Sequence, residues 1–595
     1  MATILFYDFE VFKHDWLVVI IDVTERRDYV IVNEPAKLQA VYDRKKSDIW
    51  VGFNSRDYDQ YILKGILLGF NPKEINDWII VDGKKGWQFS SLFRKIPINN
   101  FDVMPQPPIS LKALEAFMGH DIQETSVPFN IDRHLTKEEL ADTIKYCRHD
   151  VEETVEVFMR KKEEFDSHMS LIKTFSLPLS YIGKTKAQLS AIILGAEKRD
   201  HNDEFEITIP DTLRIEKYTE VLNWYLNPLN RDYDKTLEID VSGVPHVFAW
   251  GGLHGAIPKY SEEGYFLHVD VGSYYPSLML RYDFISRNVS NPAKYRDVYN
   301  ARMQFKKEKN PMQKPYKIVL NATYGAMKDK NNGLYDPMNA NNVCVGGQLL
   351  LLDLIEKLEG HCQLIQSNTD GLIVKLFSPD DFETIDDICY EWETRTGMTL
   401  EFDEYQKVFQ KDVNNYIVVD LEGEYESKGA YVKQLSPLDY DLPIVNEATV
   451  AYMLHGVRPE ETIGNCSDLQ KFQKVVKVSS KYLYGLYSPT ITEKKIRDEK
   501  NRSKTIKVFE GGEIQTDKTF RVFASNRERD GGLFKVSGKK DKYGRSKNPE
   551  KFGNTPDHCF FINGNVEGVS IPDRLDRTWY INLTWERLTD FGVVK

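Results

Sequence analysis

Residues 265–277 read YFLHVDVGSYYPS, an apolar strand that ends at an acid and is followed by a polar turn. The segment 265–269 has the composition of a buried strand, and Asp270 closes it. The turn after Asp270 contains Ser273 and Tyr275, so it can present one carboxylate and a row of backbone amides to a triphosphate. This stretch predicts a sheet that carries a phosphate-handling acid at the end of one strand.

A second acid follows on a predicted β-hairpin. Residues 362–377 have the pattern of two strands, and the turn between them is Asn368-Thr369-Asp370-Gly371. Hairpin turns favour Asp-Gly for conformational reasons alone. Taken singly, Asp370 is therefore better explained as a turn residue than as a ligand.

Two helical stretches between these acids carry basic faces. Arg302 and Lys306 are spaced i, i+4, and Lys317, Asn321 and Tyr324 are spaced i, i+4, i+7. A basic face opposite two acids is what phosphoryl transfer needs, because cations hold the triphosphate while carboxylates hold metal ions. Solvated amphipathic helices with the same spacing are common, so the spacing alone does not decide between these interpretations.

A separate set of acids lies in the first 160 residues. Asp8 and Glu10 end an apolar strand, and they share one side of it because they are two positions apart. Asn54-x-x-x-Tyr58-Asp59 follows the predicted strand over 49–53. Tyr146-x-x-x-Asp150 lies in a helix that follows the capping box Thr136-x-x-Glu139 and runs towards Glu164.

Four carboxylates drawn together from these elements would repel each other unless cations lay between them. Such a group favours two-metal phosphodiester hydrolysis, in which one ion activates water and both stabilise the attacking and leaving oxygens. Mg²⁺ or Mn²⁺ suits all-carboxylate ligation, and Tyr146 would orient the attacking water. The predicted ligands are Asp8, Glu10, Asp59 and Asp150. A set of unrelated surface acids is the alternative.

In this order, the stretches resemble the motifs of the family B DNA polymerases. The three exonuclease motifs of that family are similar to Asp8-x-Glu10, Asn54-x-x-x-Tyr58-Asp59 and Tyr146-x-x-x-Asp150. Its polymerase motifs A, B and C are similar to Asp270-x-x-Ser-Tyr-Tyr-Pro-Ser277, Lys317-x-x-x-Asn321-x-x-Tyr324-Gly325 and Asn368-Thr369-Asp370. Its minor exonuclease motif is similar to Ser110-Leu111, and its linking glycine pair to Gly251-Gly252.

The resemblance implies a DNA-templated DNA polymerase with a 3′→5′ proofreading exonuclease and two ions, Mg²⁺ or Mn²⁺, in each active site. It implies that ions are held by Asp270, Asp370 and the Val271 carbonyl, and in the exonuclease by Asp8, Glu10, Asp59 and Asp150. It implies a steric gate against ribonucleotides at Tyr275, triphosphate binding by Arg302, Lys306 and Lys317, and a base-pair pocket lined by Asn321 and Tyr324. Lys317 is a possible acid towards the leaving pyrophosphate. The implied DNA contacts are Asn54, Tyr58, Gly251, Gly252 and Tyr416.

Two departures from the family pattern stand out. Motif C of the family reads YxDTD, whereas this chain has Gln366 and Asn368 at the Tyr position and at the first acid. The later KxY motif is best matched by Asn414-Asn415-Tyr416, so its primer-binding lysine is missing or misaligned. Reduced activity or an altered metal preference is a possible consequence.

The predicted fold is α/β and multidomain, with an RNase H-like exonuclease domain followed by palm, fingers and thumb. The expected boundaries are 1–165 for the exonuclease, 166–260 for a linker and the start of the palm, 261–290 and 326–435 for the palm, 291–325 for helical fingers, and 436–595 for the thumb and a C-terminal extension. The short gaps between motifs A, B and C leave little room for the insertions of protein-primed enzymes. We therefore expect a compact, bacteriophage-like polymerase of DNA replication that extends an ordinary primer.

Composition sets weaker bounds. The net charge of −12, from 78 basic and 90 acidic residues, argues weakly against nucleic-acid binding. Basic clusters nevertheless occur at 306–309 and at 539–551, and the second reads as an exposed loop that could contact DNA phosphates. The six cysteines are scattered without a CxxC pair, which indicates reduced thiols and no zinc site.

No apolar run approaches the roughly 18 residues of a membrane span, and the early acids Asp8 and Glu10 do not fit a signal peptide. The expected location is the cytoplasm, or the host cytoplasm if the chain is viral. The expected partners are primer–template DNA and dNTPs, with replisome proteins that the sequence does not identify, and the expected state is a monomer.

Two alternatives remain open at this point. One is an exonuclease whose polymerase palm is vestigial and serves as a DNA-binding module, motivated by Asn368 and the missing KxY lysine. The intact basic set and Tyr275 argue against it. The other is a polymerase that starts chains without a primer.

Overall fold

The computed structural model describes residues 3–497, 503–540 and 547–593. Within these ranges the chain is a mixed α/β protein with several separate sheets, and the predicted α/β multidomain class is confirmed. The division into domains at particular residues stays a prediction. Among the described residues, no helix combines the length and the apolar composition needed to cross a membrane.

The amino-terminal part is built on a five-stranded mixed sheet. Its elements are β1 (Ile4–Val11), β2 (Trp16–Asp22), β3 (Arg27–Val32), α1 (Pro35–Lys45), β4 (Ile49–Gly52), α2 (Asp59–Leu67), α3 (Pro72–Asn76), β5 (Asn99–Asp102), α4 (Leu111–Met118), α5 (Lys137–Arg160) and α6 (Lys162–Thr174). The strand order is β3-β2-β1-β4-β5, with β1 antiparallel to β2 and parallel to β4. Helix α5 packs against β1 and β2.

The predicted capping box begins α5. The Thr136 hydroxyl accepts from the Glu139 N–H at 3.2 Å, and the Glu139 carboxylate accepts from the Thr136 N–H at 2.8 Å. The helix does not run on towards Glu164 as one piece, because it ends at Arg160 and α6 begins at Lys162.

The central part is a nine-stranded antiparallel sheet with helices on one face. Its elements are α7 (Lys186–Leu194), α8 (Thr219–Leu226), β6 (Leu237–Val241), β7 (Val244–Phe248), β8 (His254–Ala256), β9 (Tyr260–Val271), α9 (Tyr274–Arg281), α10 (Ala293–Lys307), α11 (Gln313–Lys328), α12 (Pro337–Leu358), β10 (Cys362–Asn368), β11 (Gly371–Leu376), α13 (Phe382–Thr396), β12 (Leu400–Asp412), β13 (Asn415–Asp420) and β14 (Tyr425–Lys428). The strand order is β14-β13-β12-β9-β11-β10-β8-β7-β6.

The strand and hairpin predicted around the two acids are present. The segment 265–269 belongs to β9, which continues through Asp270 to Val271 because those residues pair with both β11 and β12. Helix α12 is buried along nearly its whole length and packs with α9 and α11 in the largest apolar core. The sheet that carries the acids is thus supported from behind by a continuous core.

The carboxy-terminal part is rich in β-structure, which the sequence did not predict. Its elements are α14 (Pro443–His455), α15 (Pro459–Asn465), β15 (Lys474–Lys477), β16 (Tyr482–Tyr487), β17 (Thr490–Arg497), β18 (Ser503–Glu510), β19 (Glu513–Gln515), β20 (Thr519–Ala524), β21 (Leu533–Ser537), β22 (Glu550–Lys551), β23 (Cys559–Phe561) and α16 (Arg577–Asp590). Its strands form three sheets, β15-β20-β23, β19-β16-β21-β22 and β17-β18.

A buried arginine joins this part to the first. The guanidinium of Arg521, on β20, is fully buried and donates to the carbonyls of Ala116 at 3.0 Å, His120 at 2.8 Å and Gly564 at 2.7 Å. Ala116 and His120 lie at the end of α4, where helix carbonyls lack intrahelical donors. The arginine therefore caps α4 from a distant segment of the chain.

Replacing Arg521 by Met is expected to loosen this junction. The substitution leaves buried carbonyls without donors, which costs about 3 kcal/mol or more. The midpoint of thermal unfolding, measured by calorimetry, should fall by about 2 °C or more, since the shift per kcal/mol becomes smaller as the chain becomes longer. Arg527→Met is the matched control because Arg527 is exposed, and equal midpoints for the two variants would contradict the role given to Arg521.

Candidate active sites

The acids Asp270 and Asp370 lie side by side at one end of the central sheet. Asp270 is near the end of β9 and pairs in register with Gly371 of β11, directly after Asp370. The Val271 N–H donates to the Asp370 carbonyl at 2.8 Å, which fixes the turn against the strand. Asp370 is therefore held beside a second acid and is more than a turn residue.

These two carboxyls hold protons more tightly than an isolated aspartate in water, although Asp270 is only half-buried and Asp370 is exposed. Burial, and then the charge of Asp370, raises the pKa of Asp270 to about 6. Burial raises the pKa of Asp370 as well. Two neighbouring oxygen-donor groups with raised pKa values fit a hard divalent cation, which would offset their repulsion.

A cavity of about 520 Å³ opens above the acids. Every polymerase residue predicted from motifs A and B, and Asp370 of motif C, lines it. The lining includes Asp270, Val271, Ser273, Tyr275, Arg302, Lys306, Lys317, Asn321, Tyr324, Thr369 and Asp370. The structure therefore brings together side chains from β9, α9, α10, α11 and the hairpin turn.

The basic wall of this cavity is held by hydrogen bonds. Arg302 is almost fully buried and its Nη1 donates to the Ser273 hydroxyl at 2.7 Å. Lys306 Nζ lies 2.9 Å from Glu401 Oε1. Neither cation is bonded to Asp270 or Asp370, although Glu401 offsets the charge of Lys306.

The opposite wall is aromatic. The rings of Tyr275 and Tyr324 lie with centroids 4.5 Å apart at 58°. Tyr275 belongs to motif A and lies in the first turn of α9, and Tyr324 lies on α11. The contact fixes the Tyr275 ring at the cavity wall.

Two of the segments that depart from the family pattern, at Gln366 and at Tyr416, lie next to each other. Burial raises the pKa of Tyr416, and a hydrogen bond with Gln366 lowers it, so the two side chains lie together. Lys428 of β14 pairs with Tyr416 across the strands, with its ammonium 5.8 Å from the ring centroid. Asn368 ends β10 opposite Gly371.

The glycine pair lies beside the motif C turn. A Cβ at Gly252 would lie 2.9 Å from the Thr369 hydroxyl, so a side chain there would displace the turn. The Gly251 carbonyl accepts from Gln348 Nε2 at 2.6 Å. Both glycines are therefore placed next to the candidate polymerase site.

Glu401 is a cavity residue that the sequence did not predict. It lies on β12 in register with Asp270 and also lines the cavity. Its position follows from the pairing of β12 with β9, and no local pattern around residue 401 announces that pairing. Finding Glu401 would have required the register between β12 and β9.

The four acids predicted for an exonuclease also converge. Asp8 and Glu10 lie on β1, Asp59 begins α2 and Asp150 lies on α5. The Phe9 N–H donates to Asp59 Oδ1 at 3.1 Å. Burial first, and then the negative charges of the others, raises the pKa of Asp8 and of Glu10. Burial raises the pKa of Asp59 to about 8 and raises that of Asp150.

Lys112 is the cation in this group, and the sequence did not predict it. Its Nζ lies 2.5 Å from Asp150 Oδ1 and 2.9 Å from Glu115 Oε1, and 4.7 Å from the Tyr146 ring centroid. Lys112 lies in the first turn of α4, directly after Ser110-Leu111. That pair, which resembles the minor exonuclease motif, was the sequence feature that could have pointed to Lys112. Glu10, Asp59 and Asp150 are buried and Asp8 is partly exposed. Four acids beside one bonded lysine leave negative charge that a divalent cation fits.

Of the two predicted DNA contacts in this part of the chain, Tyr58 lines a cleft beside the acids and Asn54 does not. Tyr58 lines a cleft of about 620 Å³ together with Glu10 and Phe129, and its hydroxyl donates to Asn76 Oδ1 at 2.8 Å. Asn54 lies in the turn before α2, where its N–H donates to Asp102 Oδ1 at 2.9 Å. The cleft beside the acids is partly apolar, which suits a nucleobase.

The predicted basic loop is only partly within the described residues. Lys539, Lys540 and 547–551 are described, whereas the part of the loop at 541–546 lies outside the described residues. Asn548 Nδ2 donates to the Lys507 carbonyl at 2.9 Å, so the loop adjoins the β17–β18 ribbon. Contact with DNA phosphates stays a prediction.

Comparisons with known proteins give short matches in sequence. No family model matches the chain. A stretch of 60 residues, 10% of the chain, is 37% identical to a DNA polymerase of Acidianus bottle-shaped virus. A stretch of 164 residues, 25% of the chain, is 26% identical to DNA polymerase 1 of Saccharolobus solfataricus. The matches cover 9% and 18% of the length of these two relatives.

Among solved structures, the chain aligns with the family B DNA polymerase from the archaeon Pyrobaculum calidifontis. The alignment covers 100% of this chain and 78% of that one, at 14% identity and a TM-score of 0.41. The chain is thus similar in sequence to DNA polymerases, as the motifs predict, and the solved relative is of family B. The compact bacteriophage-like type stays a prediction.

The buried acids predict a pH-dependent stability in the absence of metal ions. The pKa of Asp59 in the folded chain is about 8, against an ordinary value of 3.8. The unfolded chain therefore ionises first as the pH rises, and stability present at low pH is lost as the pH rises through about 8. In EDTA, Asp59→Asn should reduce this loss by at least about 1.4 kcal/mol, the equivalent of one pKa unit.

The measurement is denaturant unfolding of the parent and the variant at several pH values between about 4 and 8. Asp57→Asn is the control, because Asp57 lies two positions away and is exposed. An identical pH dependence in all three proteins would refute the assignment.

Proposed function

We propose that this chain is a DNA-templated DNA polymerase of family B that extends a primer with dNTPs and carries a 3′→5′ proofreading exonuclease. The observation that carries the proposal is the single cavity of about 520 Å³ that unites the motif A acid, the motif C acid and the basic and aromatic residues of motif B. A triphosphate and a sugar can be held there at the same time. The short sequence matches to DNA polymerases support the same reaction class.

The cavity supports nucleotidyl transfer through its charges. The primer 3′-hydroxyl loses its proton to water and its oxygen bonds to the α-phosphorus. The bond between the α-phosphorus and the oxygen that bridges to the β-phosphorus breaks, and pyrophosphate leaves. Arg302, Lys306 and Lys317 bind the triphosphate oxygens, and Lys317 donates a proton to the leaving pyrophosphate. Asn321 and Tyr324, on the same face of α11, form one side of the pocket for the new base pair.

Asp270, Asp370 and the Val271 carbonyl are the residues that would hold Mg²⁺ or Mn²⁺ here. The ions, when bound, supply positive charge that lowers the pKa of the primer hydroxyl and stabilises charge on the phosphates. The raised pKa values of both acids support this assignment, because each carboxyl lies in a place that favours neutralisation of its charge. Lys306 is held back by Glu401, which keeps it from pairing with the acids instead.

The exonuclease part of the proposal rests on the second group of acids. Asp8, Glu10, Asp59 and Asp150 would hold the ions for hydrolysis of the primer end, with Tyr146 orienting the attacking water. Tyr58 and the partly apolar cleft beside Glu10 suit the terminal nucleotide of a frayed primer. Lys112 fixes Asp150, because its ammonium is bonded to that carboxylate.

A primer-extension gel separates the two activities. A labelled primer annealed to a longer template is incubated with Mg²⁺, with and without dNTPs. We expect Asp370→Ala to abolish extension and leave degradation, and Asp8→Ala to abolish degradation and leave extension. Lys317→Ala should slow extension without affecting degradation.

The same gel decides between this proposal and its alternatives. Degradation without extension under every dNTP and metal condition would leave an exonuclease with a vestigial palm. Chains begun on an unprimed single strand would indicate a primer-independent polymerase. Loss of both activities in both variants would mean that the two groups of acids are not separate sites.

Tyr275 is expected to exclude ribonucleotides. Its ring is fixed at the cavity wall by Tyr324, where it would lie under the sugar. Tyr275→Val should lower the preference for dNTPs over rNTPs, measured as the ratio of kcat/KM values, by at least about tenfold. Tyr275→Phe keeps the ring and is the matched control, expected to retain the preference. An unchanged ratio in the valine variant would remove Tyr275 from this role.

A further inference from the structure

A second cavity adjoins the candidate nucleotide site on the outer side of α11. It has a volume of about 530 Å³, and it shares Lys317 and Asn321 with the first cavity. Lys186, from the start of α7, lines its far side. Because α11 packs against α6 and α7, the cavity lies between the helical pair α10–α11 and the segment that follows the exonuclease sheet.

Three lysines face this cavity without a carboxylate among its lining residues. They are Lys186, Lys314 and Lys317. Within the described part of the chain, their ammonium groups form no ion pair. The nearby acids of α6 are already paired, Glu164 with Lys161 at 2.9 Å and Asp166 with Lys162 at 2.7 Å. The charge of Lys186 also helps to lower the pKa of Glu164, so that acid offsets part of it without an ion pair. In a chain of net charge −12, three lysines without an ion pair in one cavity still form a site for an anion.

The shape of the cavity favours a strand over a small anion. It is as large as the cavity proposed for a whole nucleotide, far more room than a free pyrophosphate would fill. Ile318 and Ala322 contribute apolar surface next to the lysines, because they lie on the same face of α11. Alternation of cations with apolar surface suits a phosphate backbone that carries bases.

We propose that this cavity binds the phosphate backbone of the single-stranded template next to the nucleotide site. The inference rests on the proposed function, since it names where the unpaired part of that substrate is held. Lys186 and Lys314 are the residues specific to it, because Lys317 also serves the nucleotide. Ile318 and Ala322 contact a base of the same strand.

The test compares binding of the full chain to three DNA ligands by fluorescence anisotropy. They are a blunt duplex, a duplex with a short 5′ template overhang and a duplex with a long one. The variant is Lys186→Gln with Lys314→Gln. The matched control is Lys294→Gln with Lys307→Gln, two exposed lysines of α10 that do not line either cavity.

In the parent, a long overhang should increase affinity, and in the double variant this increase should fall by about tenfold, with no change on the blunt duplex. The dependence of log affinity on log salt should become shallower by about 0.7 for each lysine removed, or about 1.4 for both. The α10 control should behave as the parent does.

Three results would overturn the proposal. Equal affinities of variant and parent for every ligand would show that no strand is held there. If the double variant loses the same affinity for the blunt duplex as for the long overhang, the lysines act only through the general charge of the surface. A normal overhang effect with weaker inhibition by pyrophosphate or a raised dNTP KM would assign the phosphate to the nucleotide instead.

Failure of the proposed function would look different. A parent chain that binds overhangs through Lys186 and Lys314 but never extends a primer would retain the strand site and lose the polymerase assignment. If the parent extends primers and the double variant binds all ligands normally, the polymerase assignment is retained and the strand site is lost.

Discussion

The repulsion among neighbouring carboxylates is the constraint on which the rest of this structure depends. Two groups of acids are placed within range of one another, the first mostly buried and the second, Asp270 and Asp370, only partly shielded from water, and in both groups desolvation raises the pKa values. Such groups destabilise a fold unless a positive charge is supplied. In the first group the chain supplies one lysine, Lys112, whereas beside the central sheet Arg302 is bonded to Ser273 and Lys306 to Glu401. Both arrangements leave room for divalent ions, and both need rigid support from the sheets that hold the acids.

That support comes from strand register. Asp270 is fixed by pairing on both sides, with Gly371 on one strand and Glu401 on the other. A slip of one residue in either pairing would turn the acid to the opposite face of the sheet, into the apolar core below. The long buried helix α12 makes that slip costly, because it fills the space behind β9 and β11. The position of a few charged atoms is thus maintained by many apolar contacts.

Much of the candidate site could be predicted from the sequence because its residues fall in short local patterns. The strand before Asp270, the hairpin turn at Asp370 and the helical spacing of Lys317, Asn321 and Tyr324 each need only a few neighbouring residues. Glu401 and Lys112 could not be found in that way, since their contacts depend on strand pairing and on helix packing across the chain. The carboxy-terminal sheets were missed for a related reason, because their short strands pair across long intervals of sequence. The continuation of β9 through Asp270 was missed because pairing on both sides extends the strand beyond its apolar run.

One helix links the acids of the first part to the last part of the chain. Helix α4 carries Lys112 in its first turn, bonded to Asp150, and its last carbonyls are capped by Arg521. Because α4 is only eight residues long, a displacement at its capped end is carried to Lys112 with little loss. The cap is polar and buried, so it tolerates little displacement before hydrogen bonds break. The geometry of this first group of acids therefore depends in part on residues far along the chain, since Arg521 lies 405 positions after Ala116.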